Sequence, residues 1–303
     1  MIKTKRLKIS DWIVALICLI VILLCVMPML NLLAQSLSSS QSVIFGRVSF
    51  LPVIHNQENN THNIGITLES YRYVFLDKSF SRSMWWTAIL TVICTIVSLT
   101  MTVLCAYPLT YDQLKGKTLI NTIIIITMYF SAGTIPNYVL MKSLNLLNNP
   151  LVLIIPNCLS VFNMIILRSF FFGVPDSLRE SAEIDGATPF TVLVKIYLPL
   201  SGPVLATLAL FYAVGRWNGF GDALIYLSSA PQWVPIQLKL WQLIQNTSGL
   251  DISTVELAAG SIPRASDAIK AAAIMFATLP ILVVYPWLQR YFIKGVTIGA
   301  VKG

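Results

Sequence analysis

The sequence predicts an all-α membrane protein, a bundle of six transmembrane helices. Three observations carry that expectation. Of 303 residues, 56% are hydrophobic and only 11% are charged, whereas a soluble domain carries about 25% charge. Six apolar runs are long enough to cross a bilayer, which takes about 20 residues at about 1.5 Å rise each. The runs are uniformly apolar rather than alternating, which excludes barrel strands and leaves helices.

The runs span about 12–34, 84–109, 119–140, 151–172, 196–225 and 271–289. The first, from Trp12 to Ala34, follows a basic start (Lys3, Lys5, Arg6, Lys8). Its roughly 20 apolar residues exceed the usual signal-peptide core of about 7–15, so it is read as a retained helix. An even number of spans puts both termini on one side. Twelve Lys and Arg fall on that side in short segments, against eight spread over longer loops on the other. The denser side is read as cytoplasmic. The outer loops are then about 36–83 and 226–270, and the chain forms one transmembrane domain in a cytoplasmic membrane, with the lipid bilayer as its solvent. The net charge of +8 is explained by membrane-edge anchors, and no nucleic-acid partner is expected.

Catalytic chemistry is hard to find. The five cysteines (Cys18, Cys25, Cys94, Cys105, Cys158) lie in apolar stretches with no C-x-x-C pair, so neither a metal site nor a disulfide frame is expected. The two histidines, His55 and His62, read as solvated loop residues. The run Leu37–Ser42 (LSSSQS) reads as a loop. Two glycan-acceptor patterns, at Asn59 and Asn246, carry no weight. No phosphate-binding glycine loop is present, and no catalytic residue or cofactor is assigned.

The informative segment is the cytoplasmic loop 173–203, GVPDSLRESAEIDGATPFTVLVKIYLPLSGP. Pro175 ends the fourth span. Ser177 and Glu180 have capping-box spacing, so a short helix starts there. Gly186 offers a left-handed stop. Thr188–Pro189 reads as an N-cap followed by proline at the first helical position. Leu193 and Ile196 give a second short helix an apolar stripe, and Pro199 and Pro203 mark re-entry. The product is a rigid elbow of two short helices. Its small residues permit close approach, and Glu180, Glu183 and Asp185 would be badly placed against an anionic leaflet. A protein groove is the better seat.

Glu180-Ser181-Ala182, Asp185-Gly186-Ala187, Ile196, Leu198-Pro199 and Pro203 resemble the EAA motif of ABC importer permeases. Ser181 replaces the middle alanine, and Leu193 stands where phenylalanine is usual; both changes are mild in size or polarity. Ala106-Tyr107-Pro108-Leu109 before Lys115-Gly116-Lys117, Trp217-Asn218, Pro235-Ile236-Gln237-Leu238 and the ending Tyr291–Gly303 are similar to the maltose-type carbohydrate group. Within it, the subgroup for complex oligosaccharides and polysaccharide fragments is the most similar. The resemblance implies a second related permease subunit, two ATPase subunits that bind ATP and Mg, and an extracytoplasmic solute-binding protein that delivers carbohydrate. It implies that Glu180, Ser181, Ala182, Asp185, Gly186 and Ala187 couple to the ATPases, and that the C-terminal tail touches them too.

The sugar path is less visible. Sugars are commonly held by amides and aromatic faces, and Asn137, Asn157, Asn163, Trp217 and Asn218 are the candidates for a cavity-facing path, because polar groups at membrane depth usually face a bundle interior. Arg216 and Asp222, six apart, lie about 240° around an ideal helix, unless Gly215, Gly219 and Gly221 break it. The alternative is a self-sufficient secondary transporter or channel for a small solute. That class usually shows ionisable residues in mid-span, which spans one, two, three and six lack.

Overall fold

The computed structural model describes residues 9–56, 61–245 and 266–300. In chain order its elements are α1 (Ile9–Ser36), α2 (Ser40–Ile44), β1 (Val53–Asn56), β2 (Thr61–Ile64), α3 (Glu69–Leu76), α4 (Lys78–Ala106), α5 (Lys117–Tyr129), α6 (Thr134–Ser143), α7 (Val161–Phe171), α8 (Asp176–Ile184), α9 (Pro189–Val192), α10 (Leu198–Leu200), α11 (Gly202–Asn218), α12 (Gly221–Tyr226) and α13 (Ile236–Gln245). A C-terminal helix runs over Ser266–Ala300. The basic residues at positions 3–8 and 302, and both glycan-acceptor patterns in part or whole, lie outside the described residues.

Among the described residues, three helices are individually long and apolar enough to cross a membrane, and up to six crossings arise if each bent helix pair is one span. The predicted first and second runs are continuous helices, α1 and α4. Residues 11–30 of α1 are all exposed, an apolar cylinder whose fit is to hydrocarbon. Asp77 starts α4: its carboxylate accepts from the amides of Ser79 (2.8 Å) and Phe80 (3.3 Å), filling donors that a helix start leaves open.

Three of the predicted apolar runs are not single straight helices. The run 119–140 is not one helix: α5 and α6 meet at 116°, across a turn ending in Gly133 at φ +88. The run 151–172 is helical only in its second part. Pro150 and Pro156 remove ladder donors, Asn149 caps a 3₁₀ turn at Pro150–Leu153, and α7 starts only after Ser160 accepts from the amide of Asn163. The run 196–225 is interrupted twice: α10 and α11 belong to segments bent by 83°, and α11 ends before Gly219.

The chain packs as two compact units, 1–81 with 240–279, and 82–239 with 280–303. In the first, the predicted outer loop is not a plain loop. It holds α2, an antiparallel hairpin and α3. The serine run is a scaffold: Ser36, Ser38, Ser40 and Ser42 are buried, Ser38 Oγ accepts from the amide of Val53, and Ser39 Oγ accepts from that of His55, both at 3.0 Å. The histidines are not independent solvated groups either. The register pairs His55 with His62, their ring centroids lie 4.7 Å apart, and Phe45 packs on both. Desolvation, then the neighbouring His55 and Arg47, hold His62 below its ordinary value of 6.5. The unfolded state therefore binds the proton more readily, so hairpin stability is present above pH 6.5 and is lost as pH falls through the lower folded value. The protection factors of the amides at residues 53–56 and 61–64, taken relative to the intrinsic exchange rate at each pH, are expected to fall as pH drops below 6.5 in the wild type, and to stay constant in His62→Gln.

In the second unit the core joins the end of α4 (Val103, Ala106, Tyr107), α7 (Met164, Leu167, Phe171), the turn after α9 (Leu193, Tyr197) and α11 (Val204, Leu208). Both candidate sites stand on this core.

Candidate functional site: a helical elbow and a polar cavity

The elbow forms from α8 and α9. Its first helix does not use the predicted capping box: Pro175 is the N-cap and makes no side-chain cap bond. Proline's fixed φ sets the entry, and Asp176 in the first turn complements the helix dipole. The exit is as the glycine predicts. Gly186 has φ +83, the amide of Ala187 donates to the carbonyl of Ala182 (2.9 Å), and the amide of Gly186 donates to that of Glu183 (3.0 Å). This is a Schellman stop, which closes the helix with two defined bonds. Thr188 then caps α9, its Oγ1 accepting from the amide of Thr191 at 3.3 Å.

The outer face of the elbow is apolar at its tip and acidic around it. Ile184 is 86% and Phe190 68% exposed, while Glu180, Glu183 and Asp185 are exposed beside them. Ala182 and Ala187 face the other way and pack on the core. Glu180, Ser181, Ala182, Asp185, Gly186 and Ala187 therefore lie together on one hinged projection.

The elbow is fastened to the core by aromatic rings. Tyr107, at the end of α4, is 5% exposed. Its hydroxyl donates to the carbonyl of Pro189 at 2.9 Å and lies 2.6 Å from the Tyr111 hydroxyl. Its ring meets those of Tyr111, Tyr197 and Phe171 edge-on, at centroid distances of 5.3, 5.1 and 6.2 Å. On α8, Arg179 sits 5.0 Å over the Tyr111 ring and pairs with Asp176 at 3.0 Å. Sequence reasoning reached Tyr107 only through a resemblance and missed Arg179. The signal was an uncommon density of aromatic residues at 107, 111, 171 and 197, which meets only in three dimensions.

The cavity has a volume of about 520 Å³, within the range of ligand sites. Cys94 and Ser98 reach it from midway along α4, Asn157 and Asn163 from the segment entering α7, and Tyr212 and Arg216 from α11. The helical break at Gly219–Phe220 carries Asp222 back to Arg216. Arg216 Nη1 and Nη2 donate to the two Asp222 oxygens at 2.5 and 3.1 Å, and Asn157 Nδ2 donates to Asp222 Oδ2 at 3.2 Å. The 240° separation expected on an ideal helix does not hold, because the helix ends between them. Gly219 permits this: a Cβ there would lie 3.1 Å from the Gly215 carbonyl and 3.2 Å from Arg216 Nη2. Of the predicted path residues, Asn157 and Asn163 line the cavity. Asn137 on α6 and Asn218 at the end of α11 are exposed elsewhere, and Trp217 is buried at 8% exposure. Among the described residues no group of three metal-ligating side chains occurs.

Residues 63–298 match the family described as the binding-protein-dependent transport system inner membrane component. The chain belongs to this family. This permease is a transport component of the inner membrane rather than an enzyme. It is similar to the polygalacturonan/rhamnogalacturonan transport system permease protein YtcP of Bacillus subtilis, at 38% identity over 93% of this chain and 94% of that one. It is similar to the arabinooligosaccharides transport system permease protein AraQ of Halalkalibacterium halodurans, at 27% identity over 99% and 100%. Among solved structures, it resembles a chain from a bacterial ABC transporter involved in import of the acidic polysaccharide alginate. That match has a TM-score of 0.83 and 30% identity, covering 95% of this chain and 100% of that one.

Proposed function

We propose that this permease is one of two related subunits forming the path of an ATP-driven importer for oligosaccharides or polysaccharide fragments. Two ATPase subunits bind ATP and Mg, and a solute-binding protein delivers the carbohydrate from outside. The chain crosses the membrane six times with both termini in the cytoplasm. Relatives serving polygalacturonan, rhamnogalacturonan, arabinooligosaccharides and alginate support the cargo class.

One observation carries the coupling role: a Schellman-closed elbow with an exposed Ile184–Phe190 tip, fastened by Tyr107 to a spanning helix. A buried groove on the ATPase side would take that tip. Burying exposed apolar surface contributes about 25 cal/mol per Å², and small residues allow close seating. Closure of the ATPase pair would then move the elbow, and the Tyr107 contact would pass the motion to α4 as a rigid-body shift. Cargo passes by the Asn157–Asn163 cavity. Asn137, Trp217 and Asn218 belong to the same path where the second permease completes it.

The test is uptake of labelled oligosaccharide into vesicles holding the assembled complex with ATP and binding protein. Uptake is expected only when all components are present. Uptake by this chain alone, driven by an ion gradient, would favour the secondary-transporter reading.

A further inference from the structure

The polar cavity contains one fixed cation and one fixed anion among its lining residues, Arg216 and Asp222. Their arrangement is one-sided. Arg216 is 8% exposed, and its guanidinium is backed by the carbonyls of Gly219 (2.9 Å) and Leu153 (3.4 Å). Asp222 takes the Nη1–Nη2 edge in a two-point contact, with side-chain exposure of 18% against 7% for Arg216, while Nε is buried without a partner. Asn157 holds the same carboxylate from the side. A solute in the cavity therefore meets Asp222 first and the cation only behind it.

We propose that Asp222 is a charge mask: by covering the open edge of Arg216, it makes this cavity a neutral subsite for sugar hydroxyls, and removing it turns the same cavity into a trap for carboxylated sugars. The inference rests on the reading that the chain passes saccharides. Hydroxyls can donate to the Asp222 carboxylate and accept from the Asn157 amide. A uronate carboxylate meets an ion pair of no net charge there, so it gains nothing over a hydroxyl. Without the mask, the buried guanidinium presents a planar fork that suits a carboxylate in two-point geometry. A transit site must also release what it binds, and an unmasked buried cation would hold an acidic fragment too long. A purely structural ion pair predicts something different. Its loss would loosen the α11–α12 break without changing which sugar is preferred.

The test uses the full chain, purified with its associated subunits in phosphatidylcholine nanodiscs, with galactotriose and trigalacturonate as probes. Binding is followed by saturation-transfer NMR. The wild type is expected to bind the two with affinities within about threefold. In Asp222→Asn, trigalacturonate is expected to tighten on the order of tenfold while galactotriose does not. Adding Arg216→Gln to that variant is expected to restore the wild-type ratio. An unchanged ratio in Asp222→Asn, or a shifted ratio that survives in the double variant, overturns the mask. If the single variant fails to assemble, the wild type still decides. Its preference for one probe over the other is expected to stay constant between about 50 and 500 mM salt, and a preference for trigalacturonate that collapses with salt overturns the proposal. Uptake of both sugars by wild-type vesicles is measured alongside. A shifted ratio without uptake overturns the importer reading and leaves the mask; uptake without a shifted ratio overturns the mask alone.

Discussion

Gly186→Pro is expected to reduce sugar-stimulated ATP hydrolysis of the assembled complex to its basal level while the chain still inserts in the membrane. Gly186 holds φ +83, and proline is locked near −65°. The substitution also deletes the amide that donates to Glu183. Forcing the wrong turn costs about 3 kcal/mol, on the order of a hundredfold in the population of the native bend. The spanning helices lie outside the change, so insertion persists. Gly186→Ala is the graded control. A Cβ there meets nothing within 4 Å, so only the left-handed backbone is penalised, by about 1–2 kcal/mol, and partial activity is expected. Asp185→Lys leaves the turn intact but reverses an exposed charge at the tip, and is expected to lose stimulation through docking instead. Reconstituted ATPase at the wild-type level in both Gly186→Pro and Asp185→Lys would contradict the coupling role.

Tyr107→Phe is expected to separate ATP hydrolysis from transport. The ring keeps its three edge-on aromatic contacts, so the core holds. The bond to the Pro189 carbonyl is lost, which costs about 1–2 kcal/mol because that acceptor is left without its donor. The elbow can then move without drawing α4 with it. Uptake per ATP is expected to fall several-fold at near-normal hydrolysis. Tyr107→Ala removes a buried ring and is expected to cost about 3–5 kcal/mol, giving poor assembly in place of uncoupling. If the phenylalanine variant transports with wild-type stoichiometry, the hydroxyl is not part of the transmission.

How far the amino-acid chain announced all this depends on the range of the forces involved. The elbow was legible because its signals are local. A glycine that must turn left-handed, a threonine before a proline and a helix-breaking proline each act within about four residues. The capping box misled because Ser177 and Glu180 had the spacing, yet Pro175 set the helix start earlier. Uniform hydropathy announced α1 and α4 correctly but hid the interruptions at 130–133, 154–160 and 201. An apolar run looks the same whether its backbone is straight or broken. The Arg216–Asp222 pair was left open for the same reason, since residues six apart are opposed on an ideal helix unless one of the glycines breaks it, and the sequence does not say which glycine ends the helix. The tyrosine cluster was out of reach, because Tyr107, Phe171 and Tyr197 come from three separate segments and meet only on folding.

The bend between α5 and α6 has a consequence for how the protein is made. Thirteen residues of α5 rise about 20 Å, short of a hydrocarbon layer of about 30 Å. If α5 and α6 form one crossing, the turn at 130–133 falls inside that layer; the Phe130 and Gly133 amides keep partners at Ile126 and Ser131, but lipid offers nothing to the rest of the turn's backbone. A newly synthesised copy is thus chemically unfinished until another polypeptide or trapped water covers that turn. Cells producing it without its companions should clear it as an orphan, so the bend acts as a built-in check on stoichiometry.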